Sequence, residues 1–348
     1  MRIVVDAFGS DDCPGPDVEG AVMAARVWND EIILVGPEER IRTELSKHDT
    51  TGLAIQVVHA PDVLSMEEHS EEVRNKPDSS IRVGLRLVKE GKADAFVSAG
   101  NTIACLSGAI FELRRIRGIR RPALSTLYPA ALKPYIFLDM GATADPKPEY
   151  LLQFAEMGTI YAEKVMNISR PRVGLLANGE EEEKGTMILR DTFAALKQSD
   201  LNFVGNVEPK DASRGHCDVL VTDGFTGNIM LKTTEAVAAY IARLIKQHFW
   251  SKPLSKLGLL LMLPGLLVAL PGLLLLSPEL RKVIKRLDYA EHGGGLLLGV
   301  NGVVIVGHGR SNAKAIKNAV RQAREAVAGN IIPTIQARLN AKHQEDKA

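Results

Sequence analysis

Residues 218–236 carry the pattern with the clearest chemical meaning in this sequence. The apolar run 219–221 predicts a buried strand, and two glycines in four residues follow it in Asp223-Gly224-Phe225-Thr226-Gly227-Asn228. A helical pattern begins directly afterwards. A strand, a glycine-rich turn and a helix in this order place backbone N–H groups and the positive end of a helix dipole at the end of the strand. This stretch therefore predicts an anion site suited to phosphate.

Four other predicted strands end in similar turns that contain glycine with an acidic residue or an asparagine. Ligands of parallel α/β sheets bind beyond the carboxyl ends of the strands, so we expect these turns to converge on one cleft. The candidate substrate- or phosphate-binding residues are Asp6, Gly9, Gly100, Asn101, Thr102, Asp139, Gly141, Gly185, Asp223, Gly224, Phe225, Thr226 and Gly227. A structural role in the turn is an equal alternative for Asp6, Asn101, Thr102 and Asp139, and Asp223 suits loop ordering better than a role as a base.

Three polar residues are candidates for a direct catalytic role, and each has an alternative structural interpretation. Lys184 suits phosphate binding, but the residues alone favour a surface lysine paired with the acidic run 180–183. Asn228 suits a helix cap as well as an amide donor to phosphate or an oxyanion. His308 suits protonation of a leaving thiolate, but a histidine between two glycines also suits a loop-ordering role.

The composition excludes several classes of protein. Lys and Arg number 43 against 42 Asp and Glu, a net charge of +1, so no global field points to nucleic acid. The three cysteines have no paired spacing, which argues against disulfides and a zinc site and favours a reducing compartment. The first residues enter a strand directly, so we expect no signal peptide and a cytoplasmic location. We expect no metal and no cofactor.

Strands alternate with helices along most of the 348 residues. This alternation predicts an α/β fold with a mostly parallel sheet covered by helices on both faces, a three-layer α/β/α arrangement. We expect one catalytic unit of two lobes over residues 1–335, an inserted helical hairpin over 250–288, and a polar C-terminal tail over 336–348.

Residues 257–276 form an uncharged, leucine-rich segment. Its length alone would suffice to cross a bilayer, but two Pro-Gly pairs argue against one straight helix. Basic residues flank both ends, so we expect the segment to dip into an anionic membrane surface rather than to span it. A buried helix pair in a dimer interface is the alternative. The residues predicted to contact the membrane are Leu257, Leu260, Leu266, Leu267, Leu270 and Leu274.

Taken together, the turns resemble one family over about residues 1–328. The matching motifs, in chain order, are Asp6-Ala-Phe-Gly-Ser-Asp11, Lys76-Pro-Asp-Ser-Ser80, Ser98-Ala-Gly-Asn-Thr102, Asp139-Met-Gly-Ala142, Gly179-Glu-Glu with Lys184-Gly185, Asp223-Gly-Phe-Thr-Gly-Asn228, and His308-Gly309 with Ser311. The sequence is similar to the bacterial phosphate acyltransferases, the PlsX family of phospholipid synthesis.

This resemblance implies an enzyme that converts acyl-[acyl carrier protein] and phosphate to acyl phosphate and free carrier protein, feeding phosphatidic acid synthesis. It implies a homodimer with a fold related to isopropylmalate dehydrogenase and phosphotransacetylase. It also implies peripheral attachment to the inner face of the cell membrane through a protruding apolar hairpin. A membrane glycerol-3-phosphate acyltransferase would then consume the product. For Lys184, the resemblance favours the phosphate-binding role over the surface pair.

Three other functions remain as rivals. A phosphotransacetylase acting on short acyl-CoA would have no use for the apolar segment. A decarboxylating dehydrogenase of the same fold would need a metal-binding Asp cluster beside paired arginines, and the sequence lacks both. A membrane-bound scaffold of lipid synthesis would keep the phosphate site without activity. Separately, five arginines within residues 114–121 suit an acidic carrier protein, with a solvated loop as the equal alternative.

Overall fold

The computed structural model describes residues 1–68, 70–131, 133–250, 253–287, 289–291 and 293–345. The side chains of residues 70, 249, 250, 253, 255, 259, 263, 266, 267, 281–287, 289 and 342–345 are outside this description. The predicted membrane contacts of Leu266 and Leu267 therefore lie outside the described side chains.

Eleven strands form one sheet within the described ranges. Most are short runs of aliphatic and β-branched residues, which pack well on the two buried faces of a parallel sheet. The strands are β1 (Arg2–Asp6), β2 (Glu31–Gly36), β3 (Ile55–His59), β4 (Ala95–Ser98), β5 (Ala123–Tyr128), β6 (Tyr135–Leu138), β7 (Val173–Leu176), β8 (Phe203–Val207), β9 (Val219–Val221), β10 (Gly295–Leu298) and β11 (Val303–Val306).

Helices connect most of these strands, as the alternating sequence pattern predicts. The helices are α1 (Gly15–Trp28), α2 (Glu38–Leu45), α3 (Ser70–Asn75), α4 (Ser80–Lys89), α5 (Thr102–Glu112), α6 (Pro148–Lys164), α7 (Met187–Lys197), α8 (Pro209–Ser213), α9 (Gly224–Trp250), α10 (Pro253–Leu287), α11 (Ala313–Ala328) and α12 (Ile331–Glu345), with a 3₁₀ turn at Tyr289–Glu291.

The sheet has the order β3-β2-β1-β4-β11-β10-β5-β6-β9-β7-β8. Strands β3, β2, β1, β4 and β11 are mutually parallel, and so are β6, β9, β7 and β8. Between these two groups the pairs β11–β10, β10–β5 and β5–β6 are antiparallel. The mostly parallel sheet is confirmed, but its two parallel groups run in opposite directions.

Apolar layers cover both faces of the sheet. Along β1, Ile3 and Val5 belong to one buried cluster with residues of α1, α6 and α11, whereas Val4 belongs to a second cluster with residues of α4 and α5. This alternation is the two-residue period of a strand buried on both sides. It confirms the three-layer arrangement predicted from the sequence.

Helix α10 departs from the sequence prediction. It runs without interruption from Pro253 to Leu287 with Pro264, Pro271 and Pro278 inside it, so the expectation that the Pro-Gly pairs break a single helix is wrong. A proline removes one backbone hydrogen bond, and the strong helix propensity of the intervening leucines sustains the turns on either side. The described residues within 250–288 are therefore the last residue of α9 and the single helix α10. Helix α10 contacts α9.

Most described apolar side chains of α10 are exposed. Leu257, Leu260, Leu270 and Leu274 all have about half or more of their surface open to solvent. No helix in the described ranges combines the length and the apolar character that crossing a membrane requires.

The chain ends in a helix where we expected a polar tail. Helix α12 continues to Glu345, and Ile335 and Leu339 are buried on the main core. Ile331, Ile335 and Leu339 are spaced by four residues, so they form an apolar stripe on one face of the helix. The segment is polar on average, and its composition therefore gave no indication of this stripe. Residues 346–348 lie outside the described residues.

Candidate functional site

The structure divides the predicted site residues between two sets of turns. The turns after β1, β4 and β11, which we call the β11 set, carry Asp6, Gly9, Gly100, Asn101, Thr102 and His308. The turns after β6, β7 and β9, the β9 set, carry Asp139, Gly141, Lys184, Gly185, Asp223, Gly224, Phe225, Thr226, Gly227 and Asn228. Because their strands run in opposite directions, the two sets leave the sheet in opposite directions. The expectation of one cleft for all the turns is therefore wrong within a single chain.

Asp6, at the end of β1, is fully buried and bonded inside the protein. The Ser98 hydroxyl donates to its Oδ2 at 2.7 Å, and the Phe8 N–H donates to its Oδ1 at 3.1 Å. Burial raises the pKa of this carboxyl, although both hydrogen bonds act in the opposite direction. Asp6 holds the β1 and β4 turns together, which is the structural role left open by the sequence.

The β1 and β4 turns pack backbone against backbone. A Cβ added to Gly9 would lie 2.7 Å from the Ala99 nitrogen and 2.8 Å from the Gly100 nitrogen, so only glycine permits this approach. Thr102 follows as the first residue of α5 and is partly exposed.

Asn101 uses its whole side chain within the protein. Its Oδ1 accepts the N–H groups of Ile103 and Ala104 and caps α5, and its amide donates to the carbonyls of Ser65, Met66 and Glu68. The distances lie between 2.9 and 3.4 Å. Asn101 is thus a cap that also anchors the 65–68 loop, and the capping interpretation accounts for it.

His308 lies on the exposed turn after β11. The Arg310 N–H donates to its Nδ1 at 3.3 Å, so the neutral imidazole carries its proton on Nε2. The Ser311 N–H in turn donates to the His308 carbonyl at 2.8 Å. These bonds support the loop-ordering role. The Nε2–H group of His308 takes no part in them.

Asp139 is the buried centre of the turn after β6. It accepts the N–H groups of Leu124 at 3.0 Å, Ala142 at 3.1 Å and Thr143 at 2.7 Å. Burial raises the pKa of Asp139 to about 6 against the opposing effect of these bonds. The carboxyl orders its own turn and joins it to the start of β5.

The turn after β9 packs directly onto the Asp139 turn. A Cβ on Gly224 would lie 2.8 Å from the Thr143 carbonyl oxygen, and one on Gly227 would collide with the Asp139 carbonyl oxygen. This close approach explains both glycines. The two turns therefore form one surface at this end of the sheet.

The backbone of the β9 turn offers fewer free donors than the sequence pattern predicts. Helix α9 already begins at Gly224, and the Gly224 N–H donates to Thr143 at 2.8 Å. The Thr226 N–H donates to Asp223 Oδ1 at 2.8 Å and the Gly227 N–H to the Asp223 carbonyl at 2.9 Å. The expected cradle of free N–H groups from Gly224 to Gly227 is wrong for these three donors. Asp223 acts as the cap, and Phe225 is exposed.

Asn228 differs from Asp139 and Asp223, the two carboxylates of these turns. Its side chain is half-buried, and its Nδ2 lies 3.6 Å from the position of a Cβ on Gly141. In residues 133–250, where the turn and its neighbours lie, no hydrogen bond of the Asn228 amide to protein is found. The amide therefore remains able to bind a ligand beside Gly141.

Lys184 lies on the turn after β7. Strand β7 pairs in parallel with β9, with Leu175 opposite Val221, so this turn is next to the turn after β9. Its aliphatic stem crosses Gly179, where a Cβ would lie 3.1 Å from Lys184 Cγ. Gly185 follows with a positive φ of 93°. Among the described residues the Lys184 ammonium makes no ion pair, and Glu182 pairs instead with Lys197 at 2.9 Å. The predicted alternative of pairing with residues 180–183 is not observed.

Two polar contacts that the sequence reasoning missed stabilise the β11 set. Asp17, in the first turn of α1, is buried and accepts both the N–H and the hydroxyl of Ser10; burial raises its pKa to about 8. Arg310 pairs with Glu235 of α9 at 3.4 Å, which links the β11 turn to the helix that starts in the β9 set. Neither contact has a sequence signal, since Ser10 and Asp17 are seven residues apart across a turn and Arg310 and Glu235 are 75 residues apart.

The cysteines are free thiols. Cys105 and Cys217 are buried, and burial raises the pKa of each thiol to about 12, so neither forms a thiolate near neutral pH. Both are packed side chains of the core. Within the described ranges no three His, Cys, Asp or Glu side chains are grouped so as to hold a metal ion.

Comparison with known proteins gives two kinds of match. A family model described as "fatty acid synthesis protein" matches residues 1–333. The chain is 51% identical over 356 residues to a phosphate acyltransferase of Herpetosiphon aurantiacus, with 96% of both chains covered. It is 44% identical over 346 residues to a phosphate acyltransferase of Pelobacter propionicus, with 99% of this chain and 96% of the relative covered.

The solved structures that resemble it share the fold at much lower identity. A phosphotransacetylase from Streptococcus pyogenes superposes with a TM-score of 0.59 at 19% identity, covering 96% of this chain and 94% of that one. The EutD phosphotransacetylase from Staphylococcus aureus gives 0.56 at 15% identity, covering 95% and 94%. These likenesses establish the α/β architecture predicted from the turns.

Proposed function

The chain belongs to the phosphate acyltransferase family, and from that premise we propose that Lys184 and Asn228 hold the phosphate that this enzyme acylates. The enzyme transfers the acyl group of acyl-[acyl carrier protein] to inorganic phosphate. The products are acyl phosphate and free carrier protein, and the acyl phosphate feeds phospholipid synthesis.

The reaction needs positioning more than strong acid–base catalysis. Phosphate is already an oxyanion at neutral pH, so one of its oxygens attacks the thioester carbonyl directly. The new C–O bond forms, the C–S bond breaks, and its electron pair leaves on sulfur as a thiolate that takes a proton from solvent. An ammonium and an amide donor that hold the dianion beside the carbonyl supply the orientation and the charge neutralisation.

The observation that supports this assignment is the state of the hydrogen-bonding groups on the β9 set. Asp139 and Asp223 are committed to backbone N–H groups of their own turns. Lys184 and Asn228 lie on neighbouring turns, and in the described part of the chain neither side chain has a protein partner. A positive charge and an amide donor on neighbouring turns suit an anion.

The test is release of carrier-protein thiol that depends on added phosphate. We expect acyl-carrier substrate to release thiol in proportion to phosphate and to form a hydroxylamine-reactive acyl phosphate. Acetyl-CoA as the donor tests the phosphotransacetylase alternative, and faster turnover with it would overturn the carrier assignment. Thiol release that ignores phosphate, or no release at all, would favour the scaffold alternative.

We further propose that the protein acts as a homodimer attached peripherally to the inner face of the cell membrane. Exposed leucines of α10 and the exposed apolar residues Val237, Ile241 and Ile245 of α9 support a role for these helices in lipid or helix contact. A membrane enzyme that transfers the acyl group onward to glycerol 3-phosphate would then be reached along the same membrane surface.

Flotation with anionic vesicles tests the membrane proposal. We expect wild-type protein to float and Leu274→Glu to stay in solution, because the charge replaces an exposed apolar contact. Val204→Glu is the matched control, since Val204 is also exposed but lies on β8. Equal flotation of Leu274→Glu and wild type would contradict the proposal.

A further inference from the structure

Five arginines crowd the loop between α5 and β5. Arg114, Arg115, Arg117, Arg120 and Arg121 are all exposed. We call residues 114–121 the arginine loop. No ion pair of these five side chains is found among the described residues, and the nearest acid in sequence, Glu112, is buried in a pair with Arg82 at 2.6 Å. Unpaired like charges repel one another, so the loop carries a concentrated positive field.

The backbone of the arginine loop is held rigidly despite its exposed side chains. The Asn301 amide donates to the carbonyls of Leu113, Arg114 and Arg115 at 2.9 to 3.4 Å. On the other side Gln153 accepts the Arg120 N–H and donates to the Gly118 carbonyl, both at 2.9 Å. The loop therefore presents its charges from a fixed frame.

Buried side chains complete this frame. Ile116 and Ile119 alternate with the arginines and are packed into the main core. A solvated surface loop needs neither these anchors nor the bonds to Asn301 and Gln153. The arrangement is that of a preorganised binding surface. A partner that binds it loses little free energy to ordering the backbone of the loop.

The position of the loop relates it to the proposed phosphate site. Arg121 is two residues before β5, and the Leu124 N–H at the start of β5 donates to Asp139 at 3.0 Å. The arginine loop therefore lies at the same end of the sheet as the β9 set. Strands β5, β6, β9 and β7 are neighbours, so the strand that leads to Lys184 is roughly 14 Å across the sheet from β5.

The apolar helices lie toward the other end. Helix α9 starts at the β9 set but reaches Tyr128, at the far end of β5, through Thr234, and Arg310 through Glu235. The turn after α10 leads into β10 beside Val306, the last residue of β11. A membrane that meets α10 would thus face away from the arginine loop, which favours a protein partner for the loop.

We infer that the arginine loop docks the acidic carrier protein that delivers the acyl thioester to the phosphate site. The inference rests on the proposed function, because it takes the thioester donor to be a carrier protein. The fixed cluster of guanidinium groups matches an acidic protein surface, and it steers that surface toward the end of the sheet that holds Lys184 and Asn228.

The test is the double charge reversal R117E/R120E, with R42E/K47E as the control of equal charge change, at an exposed arginine of α2 and an exposed lysine two residues after its end. Circular dichroism and thermal melting establish that both variants fold. At low salt we expect R117E/R120E to lower kcat/KM for the acyl-carrier substrate about 10- to 100-fold with kcat nearly unchanged, and to flatten its dependence on ionic strength. The control should stay near wild type.

Two further measurements on R117E/R120E identify the partner. With a long-chain acyl-CoA, which has no carrier protein, R117E/R120E should behave like wild type. An equal loss with this donor would overturn the inference and assign the arginines to the small-molecule site. Unchanged carrier kinetics with lost flotation on anionic vesicles would also overturn it and assign the loop to a membrane.

Binding of the carrier without turnover separates this inference from the proposed function. Fluorescence anisotropy of labelled holo-carrier should show binding to wild type and to R42E/K47E, and loss of about 10-fold or more in affinity for R117E/R120E. If that holds while wild type releases no thiol with phosphate, the proposed function fails and the docking surface stands. Equal affinity of all three proteins would overturn the docking surface alone.

Discussion

The β11 set and the β9 set of turns look alike as sequences, but the structure uses their polar residues differently. In the β11 set Asp6 and Asn101 are engaged in bonds within the protein. In the β9 set Asp139 and Asp223 are engaged in the same way, but Lys184 and Asn228 are not. A polar residue at a strand end is thus a candidate for ligand binding only when its own turn leaves it free.

The largest effect expected from this comparison concerns Lys184. Replacing it with alanine removes the cation that we propose neutralises phosphate, so we expect kcat/KM for phosphate to fall by about 1,000-fold. Lys197→Ala is the matched control, since Lys197 is an exposed lysine paired with Glu182. Near-normal phosphate turnover in Lys184→Ala would place the phosphate elsewhere. Because the ammonium is exposed, the melting temperature should not change.

Substitutions in the β11 set should instead change the free energy of unfolding. Asn101→Ala removes the cap of α5 and the three bonds that anchor residues 65–68, so we expect the free energy of unfolding to fall by about 3 kcal/mol. Urea denaturation measures it. Asn228→Ala serves as the comparison and should unfold like wild type. A loss of activity in Asn101→Ala with unchanged stability would show that Asn101 contacts substrate after all.

How far the sequence predicts this site depends on the range of the interaction involved. The strands, most of the helices and the turns were predictable, because the two-residue and 3.6-residue patterns are local. The opposite direction of the two parallel groups was not, since the antiparallel pair β10–β5 joins segments that are far apart in the chain. That reversal separates His308 from Lys184, although both residues match the same family pattern.

The roles of individual residues show the same limit. The sequence left both Asn101 and Asn228 with two alternatives, a structural role or a contact with the ligand. What separates them is the 65–68 loop, which comes within hydrogen-bond distance of Asn101 only in the folded chain. Asp17 gave no signal at all, since its partner Ser10 precedes it by seven residues across a turn.

Asp17 offers a pH test of the β11 set. Burial raises its pKa from 3.8 to about 8 in the folded protein. Between these two values the folded state keeps a proton that the unfolded state releases, so the stability of wild type should fall as the pH rises through this window. Asp17→Asn preserves an acceptor for the Ser10 N–H and cannot ionise.

We therefore expect Asp17→Asn to have about the stability of wild type near pH 4. Its stability relative to wild type should then increase by about 3 kcal/mol between pH 5 and pH 7. Urea denaturation at each pH gives the difference. The phosphate kinetics of the variant should stay unchanged, because Asp17 belongs to the β11 set. A stability difference that does not vary with pH would mean that Asp17 has an ordinary pKa.

The smallest effect concerns Asn228 and sharpens the comparison with Lys184. A hydrogen bond to a charged ligand contributes about 1.5–3 kcal/mol, so Asn228→Ala should raise the KM for phosphate or lower kcat/KM by roughly 10- to 100-fold. Asn228→Asp should lose more than Asn228→Ala, because a carboxylate beside Gly141 repels the dianion as well as removing the donor. If Asn228→Asp were as active as wild type, the amide would serve the helix alone, and Asn228 would be removed from the proposed phosphate site.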